Sequence, residues 1–507
     1  MYALSVAQVR SLELAVVAKE SISLFDLMRR AGAAVSSCAL ELAATAGLRR
    51  FLILAGKGNN AGDALICAKL LYENGIVPTV CLAYEPGQLR NEAKLAYEEL
   101  PTALKQKLRN DLPAEALRSD CLVIDGLLGS GTRGRPRPEL AAWIESINAG
   151  MAPVLAIDLP SGLEADSGQA ECAVQADLTL ALIAPKIGML QGRGPELCGR
   201  ILLDRLGTPH ALLQGQYSEW PVFTRYEAEA LLKREAYDIH KNMRGHVAVI
   251  GGSRQYMQAP FLTAEAALRS GAGLVSVLLP ENLPIYAGIP KALILRKLPD
   301  AGKGILNQAS LSTLQKELTA FSVLACGPGW SKNPALLPVL ELLLQSGKPI
   351  VLDADALNLL CQAPEILMQS KSAKILTPHP GEMRRLLSAY DLCANLPRHE
   401  QALALAQKTG CAILLKGHGS ICADPEGIWT RNLSGSAALA TAGSGDVLCG
   451  ICAAFLGQMP KMQAATLAAY LHGLCADRLK PLGSRGLIAD DLLAEIPQAI
   501  TQVNPKA

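Results

Sequence analysis

The period of the apolar positions changes near residue 50. Upstream, residues 6–19 and 24–46 read as helices, the second with Leu27, Ala31, Val35 and Ala39 on one face. From Phe51 onward the apolar residues come in short runs that end in turn formers. Residues 51–55 stop at Gly56, 78–84 at Glu85-Pro86-Gly87, 121–124 at Asp125-Gly126, 154–157 at Asp158, and 178–183 at Ala184-Pro185. Helix-length segments separate most of these runs, which predicts a parallel sheet with helices on both faces. The segment 207–221 (GTPHALLQGQYSEWP) has no period and mixes Pro, Gly and polar residues, so a boundary is expected there, giving domains 1–215 and 216–507. A second α/β series follows. Its runs are 246–250 before Gly251-Gly252-Ser253, 323–325 before Gly327-Pro328-Gly329, 350–352 before Asp353, 375–376 before Thr377-Pro378-His379, and 412–415 before Lys416-Gly417. The halves do not share a motif order, which argues against duplication. In open α/β sheets ligands bind beyond the carboxyl ends of strands, where nearly all of these polar clusters fall.

Composition narrows the class. A chain of 507 residues exceeds what one core usually serves, and 50% hydrophobic residues suffice for two. With only 4% aromatic residues, α/β layers are favoured over an all-β sandwich. A net charge of +2 gives no electrostatic case for nucleic acid or an anionic membrane as partner. The opening residues lack a long apolar core and a cleavage pattern, and the best apolar run, 447–456, is too short to span a bilayer. The 14 cysteines lie singly in apolar segments and read as reduced core residues of a cytoplasmic protein. Cys449 and Cys452 form a CxxC, but inside an apolar segment, where core packing is the expectation.

The first half carries three polar loops at strand ends. Gly56-Lys57-Gly58-Asn59-Asn60-Ala61-Gly62-Asp63 opens a helix and meets the dinucleotide fingerprint, with Glu85 placed for a ribose. A nicotinamide-dependent oxidoreductase is therefore one reading. Against it, Asp63 stands where a pyrophosphate wants only N–H donors, and the two asparagines suit a polar ligand better than a bare anion. Asp125 leads into the loop Gly129-Ser130-Gly131-Thr132-Arg133-Gly134-Arg135, suited to phosphates, and Asp158-Leu159-Pro160-Ser161-Gly162 makes a tight turn. Asn60, Asp125 and Ser161 together offer oxygen ligands to a hard cation. Read singly, Asp158 and Ser161 would merely cap a turn.

These motifs resemble the NAD(P)H-hydrate epimerase family, as do Ala7-Gln8-Val9-Arg10 and Leu27-Met28-Arg29-Arg30-Ala31-Gly32. The resemblance implies a Rossmann-like three-layer domain. It also implies that Asn59, Asn60, Ala61, Gly62, Asp63, the 129–135 loop and Asp158 hold a hydrated cofactor, with K⁺ on Asn60, Asp125 and Ser161. Ala61 departs from the family's usual glycine.

The second half carries Gly443-Ser444-Gly445-Asp446 directly before an apolar helix, a ready anion site. An acid there would repel a resting phosphate but suits a substrate hydroxyl about to receive one. The plainer reading is a helix cap. Its company is Lys416-Gly417-His418-Gly419-Ser420, the prolines around His379, and Asp353 with Asp355. His379 is expected to touch a ligand, with turn stabilisation as the alternative; Asp353 and Asp355 share a face only if both lie on the strand. The set, together with residues 245–253, Ala259-Pro260 and 269–275, resembles the ribokinase-like ADP/ATP-dependent NAD(P)H-hydrate dehydratases. The resemblance implies hydrated cofactor near Ala259, Gly329, His379 and Asp446. It places ADP against Lys416, Gly417, His418, Gly419, Ser420 and Gly445, with Mg²⁺ accompanying the nucleotide. Gln258 and Ser444 depart from the family's usual glycine and threonine.

Together the halves resemble bifunctional NAD(P)H-hydrate repair enzymes. The expectation is epimerisation of the R and S hydrates of NADH and NADPH by the first domain, with Asp158 moving protons. The second domain is expected to dehydrate the S hydrate with ADP as phosphoryl donor and Asp446 as base. A cytoplasmic homo-oligomer is expected. The competing reading is a ribokinase-type small-molecule kinase with an N-terminal ligand-binding module.

Overall fold

The computed structural model describes residues 1–234, 236–285 and 288–506. The chain forms two compact units, Met1–Val222 with Pro481–Gly483, and Phe223–Lys480 with Ser484–Ala507.

The first unit begins with helices α1 (Val6–Glu20) and α2 (Leu24–Ala46). Each is started by a reciprocal cap: Ser5 with Gln8, and Ser23 with Asp26. Strands β1 (Arg50–Ala55), β2 (Thr79–Leu82), β3 (Cys121–Gly126), β4 (Val154–Ile157), β5 (Leu178–Leu182) and β6 (Arg200–Asp204) form one parallel sheet in the order β2-β1-β3-β4-β5-β6. Side chains alternate between two cores. Phe51, Ile53 and Ala55 pack with Leu27, Val35 and Leu65 on one face. Leu52 and Leu54 pack with Leu140, Ile144 and Ile147 on the other, which makes three layers. The chain leaves β1 and β3 in opposite directions, so their carboxyl ends border a switch-point crevice. Helix α3 (Asn59–Glu73) starts at that crevice.

The second unit is built on a sheet of ten strands in the order β10-β9-β8-β11-β12-β13-β14-β15-β16-β7. These are β7 (Val222–Phe223), β8 (His246–Ile250), β9 (Leu274–Pro280), β10 (Ile294–Leu298), β11 (Val323–Cys326), β12 (Ile350–Leu352), β13 (Lys374–Leu376), β14 (Ala412–Leu415), β15 (Ile421–Ala423) and β16 (Trp429–Asn432). Strands β8 to β14 pair in parallel, while β14, β15 and β16 are antiparallel. Val247 and Val249 face a core shared with Ala264, Ile451 and Leu471. Ala248 and Ile250 face another with Leu340 and Leu386. The parallel strands place their carboxyl ends, with residues 251–253, 327–329, 353, 377–379 and 416, along one edge of the sheet. Cys449 and Cys452 are buried, free and part of the first of these cores.

Among the described residues no helix is long and apolar enough to cross a membrane.

Candidate active sites at the strand ends

In the first unit, Asn60 ties three strand ends together. Its buried amide donates to the carbonyls of Ile157 (2.7 Å) and Leu128 (3.2 Å). Asp125, fully buried, accepts from the Ser161 hydroxyl (2.6 Å), Ser161 N–H (2.8 Å) and Leu127 N–H (3.2 Å). Burial raises its carboxyl, and those hydrogen bonds oppose the rise. Asn60 and the Asp125–Ser161 pair are thus joined through the backbone of Leu128, which donates to Ser161 Oγ at 2.8 Å. The three residues expected to hold a cation do come together. Their donors are amide, carboxylate, hydroxyl and carbonyl oxygens, which suit a hard cation. Among the described residues no cluster of three His, Cys, Asp or Glu side chains forms a metal site.

Asp158 directly follows β4 with φ +63°, an uncommon conformation for a residue with a side chain. Its carboxylate accepts from Leu182 N–H (3.0 Å) and pairs with Lys186. Lys186, only 1% exposed, also donates to the Leu182 carbonyl (2.9 Å). Asp63 is buried too, and burial followed by the charges of Asp158 and Glu13 pushes its carboxyl well above the usual range. Glu13, on α1, is raised chiefly by burial, with Lys186 opposing. Sequence reasoning named Asp63 and Asp158 but missed Lys186 and Glu13. The available signal for Lys186 was a lysine set among apolar residues just past a strand end. In the 129–135 loop, Arg133 and Arg135 are exposed and face Asp166 (3.6 Å) and Glu145 (3.7 Å).

In the second unit, Gly443 (φ +83°) turns the chain into the helix Ser444–Leu456. Asp446 lies in that helix's first turn. Lys416 donates to Asp353 (2.7 Å), and a Cβ built on Gly445 would lie 3.5 Å from Lys416 Nζ and 3.8 Å from Asp353 Oδ2. Asp353, Lys416, Gly445 and Asp446 therefore converge. Burial, then the neighbouring Asp353 charge, lifts Asp446 to about 7 against the pull of Lys416. Burial works against the Lys416 ammonium, but Asp353 and Glu382 more than offset it and hold its pKa above the ordinary value.

Asp353 directly follows β12, whereas Asp355 opens the helix Asp355–Leu360, where it accepts from Asn358 (2.9 Å). The two do not form a pair. His379 caps the helix Pro380–Ala389: Nδ1 accepts from Gly381 N–H at 2.9 Å, and Nε2 lies 3.4 Å from Glu382. The turn-stabilising role is thus present, and the ring stays half exposed. Gly329 abuts Gly252 and Pro260, next to Ala259 at the start of the helix Ala259–Arg269. Gln258, just before that helix, is exposed. Sequence reasoning also missed His472, buried beside this centre and driven down to about 4 chiefly by burial.

Residues 24–188 match the family described as YjeF-related protein N-terminus, and residues 247–498 match NAD(P)H-hydrate dehydratase. A bifunctional NAD(P)H-hydrate repair enzyme of Coxiella burnetii is 35% identical over 98% of both chains. Its counterpart in Escherichia coli is 34% identical over 96% of this chain and 90% of that one. The chain belongs to the family of bifunctional NAD(P)H-hydrate repair enzymes. An ADP/ATP-dependent NAD(P)H-hydrate dehydratase of Bacillus subtilis, co-crystallised with ATP and Mg²⁺, is 25% identical. It covers 57% of this chain and all of its own, with a TM-score of 0.48. Both repair-family segments, 24–188 and 247–498, include the clusters described above: Asp63, Asp125 and Asp158 in the first, Asp353, Lys416 and Asp446 in the second.

Proposed function

We propose that the first unit epimerises the R and S hydrates of NADH and NADPH, and that the second dehydrates the S hydrate at the expense of ADP. The observation that carries the second half is Asp446, an acid poised near neutrality in the first turn of a helix and beside the Lys416 ammonium.

The hydrate bears a hydroxyl on the ring carbon next to nitrogen, and hydroxide leaves poorly. Asp446 takes the hydroxyl proton as the oxygen attacks the terminal phosphorus of ADP, and AMP departs. The N–H groups at residues 443–445 and the ammonium of Lys416 stabilise the charge on the group in transit. The ring nitrogen then expels phosphate, and loss of a proton from the adjacent carbon restores the dihydronicotinamide. Lys416, Gly417, His418, Gly419, Ser420 and Gly445 hold the nucleotide, which brings Mg²⁺ with its phosphates. Ala259, Gly329 and His379 border the hydrate.

In the first unit, Asn59, Asn60, Ala61, Gly62, Asp63 and the 129–135 loop hold the hydrate. Asp158 takes the hydroxyl proton as the bond from the hydroxyl-bearing carbon to the ring nitrogen breaks and leaves an aldehyde. The nitrogen gains a proton, and both transfers reverse when nitrogen adds to the other face. Lys186 fixes the carboxylate, and burial favours the acid form of Asp63, which as an acid would offer a donor beside it. Asn60, Asp125 and Ser161 would hold K⁺, which supplies positive charge for the cofactor's phosphates. The enzyme works in the cytoplasm as a homo-oligomer.

Asp158→Ala and Asp446→Asn test this division. Chromatographic separation of the hydrates should show loss of interconversion only in the first, and loss of ADP-dependent dehydration only in the second. A stable phosphoester from either hydrate would instead establish a small-molecule kinase.

A further inference from the structure

Arg398 opens the helix Arg398–Thr409 and turns its guanidinium onto the 415–419 loop. Nη1 donates to the carbonyls of His418 (2.7 Å) and Gly419 (3.4 Å). Nη2 donates to those of Leu415 (3.4 Å) and Lys416 (3.3 Å). Among the described residues its Nε is buried with no hydrogen-bond partner, and no carboxylate pairs with it. A partly buried guanidinium with a covered Nε normally faces an anion. This one faces only backbone oxygens of a single loop.

The consequence is geometric. In a trans peptide the C=O and the following N–H point in opposite directions. Gathering the carbonyls of Lys416, His418 and Gly419 around one guanidinium therefore turns the N–H groups of Gly417, Gly419 and Ser420 away from it. None of those three donates within the chain among the described residues. The approach needs glycine: a Cβ on Gly417 would lie 2.8 Å from Arg398 Nη2, and one on Gly419 2.4 Å from Arg431 Nε. Arg431, on β16, adds a second guanidinium at the same loop.

We infer that Arg398 is a positioning residue for the nucleotide, holding the loop so that three N–H groups form an anion cradle for the phosphates of a nucleoside diphosphate. The inference rests on the proposed nucleotide-dependent dehydration. It assigns Arg398 no contact with substrate.

The test uses the full chain, with Arg398→Ala and Arg398→Lys, the S hydrate and varied ADP. Lysine keeps the charge but lacks the planar fork that spans four carbonyls. Expected in both variants are a KM for ADP raised tenfold or more, kcat within threefold, and an unmoved KM for the hydrate. Added guanidinium should restore the KM for ADP in Arg398→Ala. The epimerisation rate, unchanged, serves as the folding control for the chain, and a thermal melt serves for the second unit. If Arg398→Ala fails to fold, Arg398→Lys carries the test alone. Saturation by ADP in the parent with an unmoved KM in the folded variants overturns the role of Arg398. Absence of any nucleotide dependence in the parent instead overturns the dehydration reading on which it rests.

Discussion

Asp446 is a carboxyl whose environment disagrees with its chemistry in water. Burial and Asp353 push it from an ordinary 3.8 to about 7, while Lys416 pulls the other way. As a base it must be ionised, so dehydration should rise with pH through about 7 and level above it. Asp446→Asn should lower the rate by about 10²–10⁴-fold and remove that limb. The same shift has a stability consequence. A folded-state value above the unfolded one means the acid form is favoured in the fold, so stability from this group is present below about pH 4 and lost progressively until about pH 7. Asp446→Asn should therefore be more stable than the parent at pH 8, by up to about 4 kcal/mol, with the gap closing towards pH 4. Urea unfolding at pH 8 and pH 5 measures it; an equal difference at both would contradict the burial argument. Lys186 and Asp158 form a buried pair in which either partner would be costly alone.

At the scale of elements, the strand-to-helix turn from β1 to α3 is where backbone geometry becomes function. A Cβ on Gly56 would lie 1.9 Å from the Leu127 carbonyl, so the loops after β1 and β3 touch through bare backbone. Gly56→Ala should separate them, disturb Asn60 and Asp125, and reduce epimerisation at least tenfold while leaving dehydration unchanged. An unaffected epimerisation rate would show that the loop contact is dispensable. Much of this frame was legible in the chain. The period change near residue 50, the helix 24–46, and the buried strands 154–157, 350–352 and 412–415 appear where the apolar pattern puts them, because strands covered on both faces read as unbroken apolar runs. Strands β6, β7, β9, β10, β15 and β16 did not stand out, β9 although it is apolar and largely buried. Arg200 and Asp204 bracket β6, Arg296 and Lys297 interrupt β10, and the short β15–β16 hairpin carries Trp429, Thr430 and Arg431. Local pattern weakens where a strand is partly exposed or paired by a tight hairpin. The sites divide in the same way. Motifs contiguous in the chain, such as 56–63 and 443–446, were visible, whereas Lys186 with Asp158, Lys416 with Asp353 and Arg398 with the 415–419 loop are pairings made only by folding.

At the scale of the whole molecule, two α/β units each gather their polar loops at the carboxyl ends of a largely parallel sheet, and each has its own lysine–aspartate pair there. A repair that needs both hydrates to reach one product requires one activity that interconverts them and one that commits. The decisive measurement mixes the purified chain with both hydrates of NADH, Mg²⁺ and K⁺, and follows dihydronicotinamide absorbance with and without ADP. The account predicts complete recovery of both isomers, dependent on nucleotide, with Asp158→Ala recovering the S share promptly and the R share only at the uncatalysed rate. No recovery by the parent chain with ADP would contradict it.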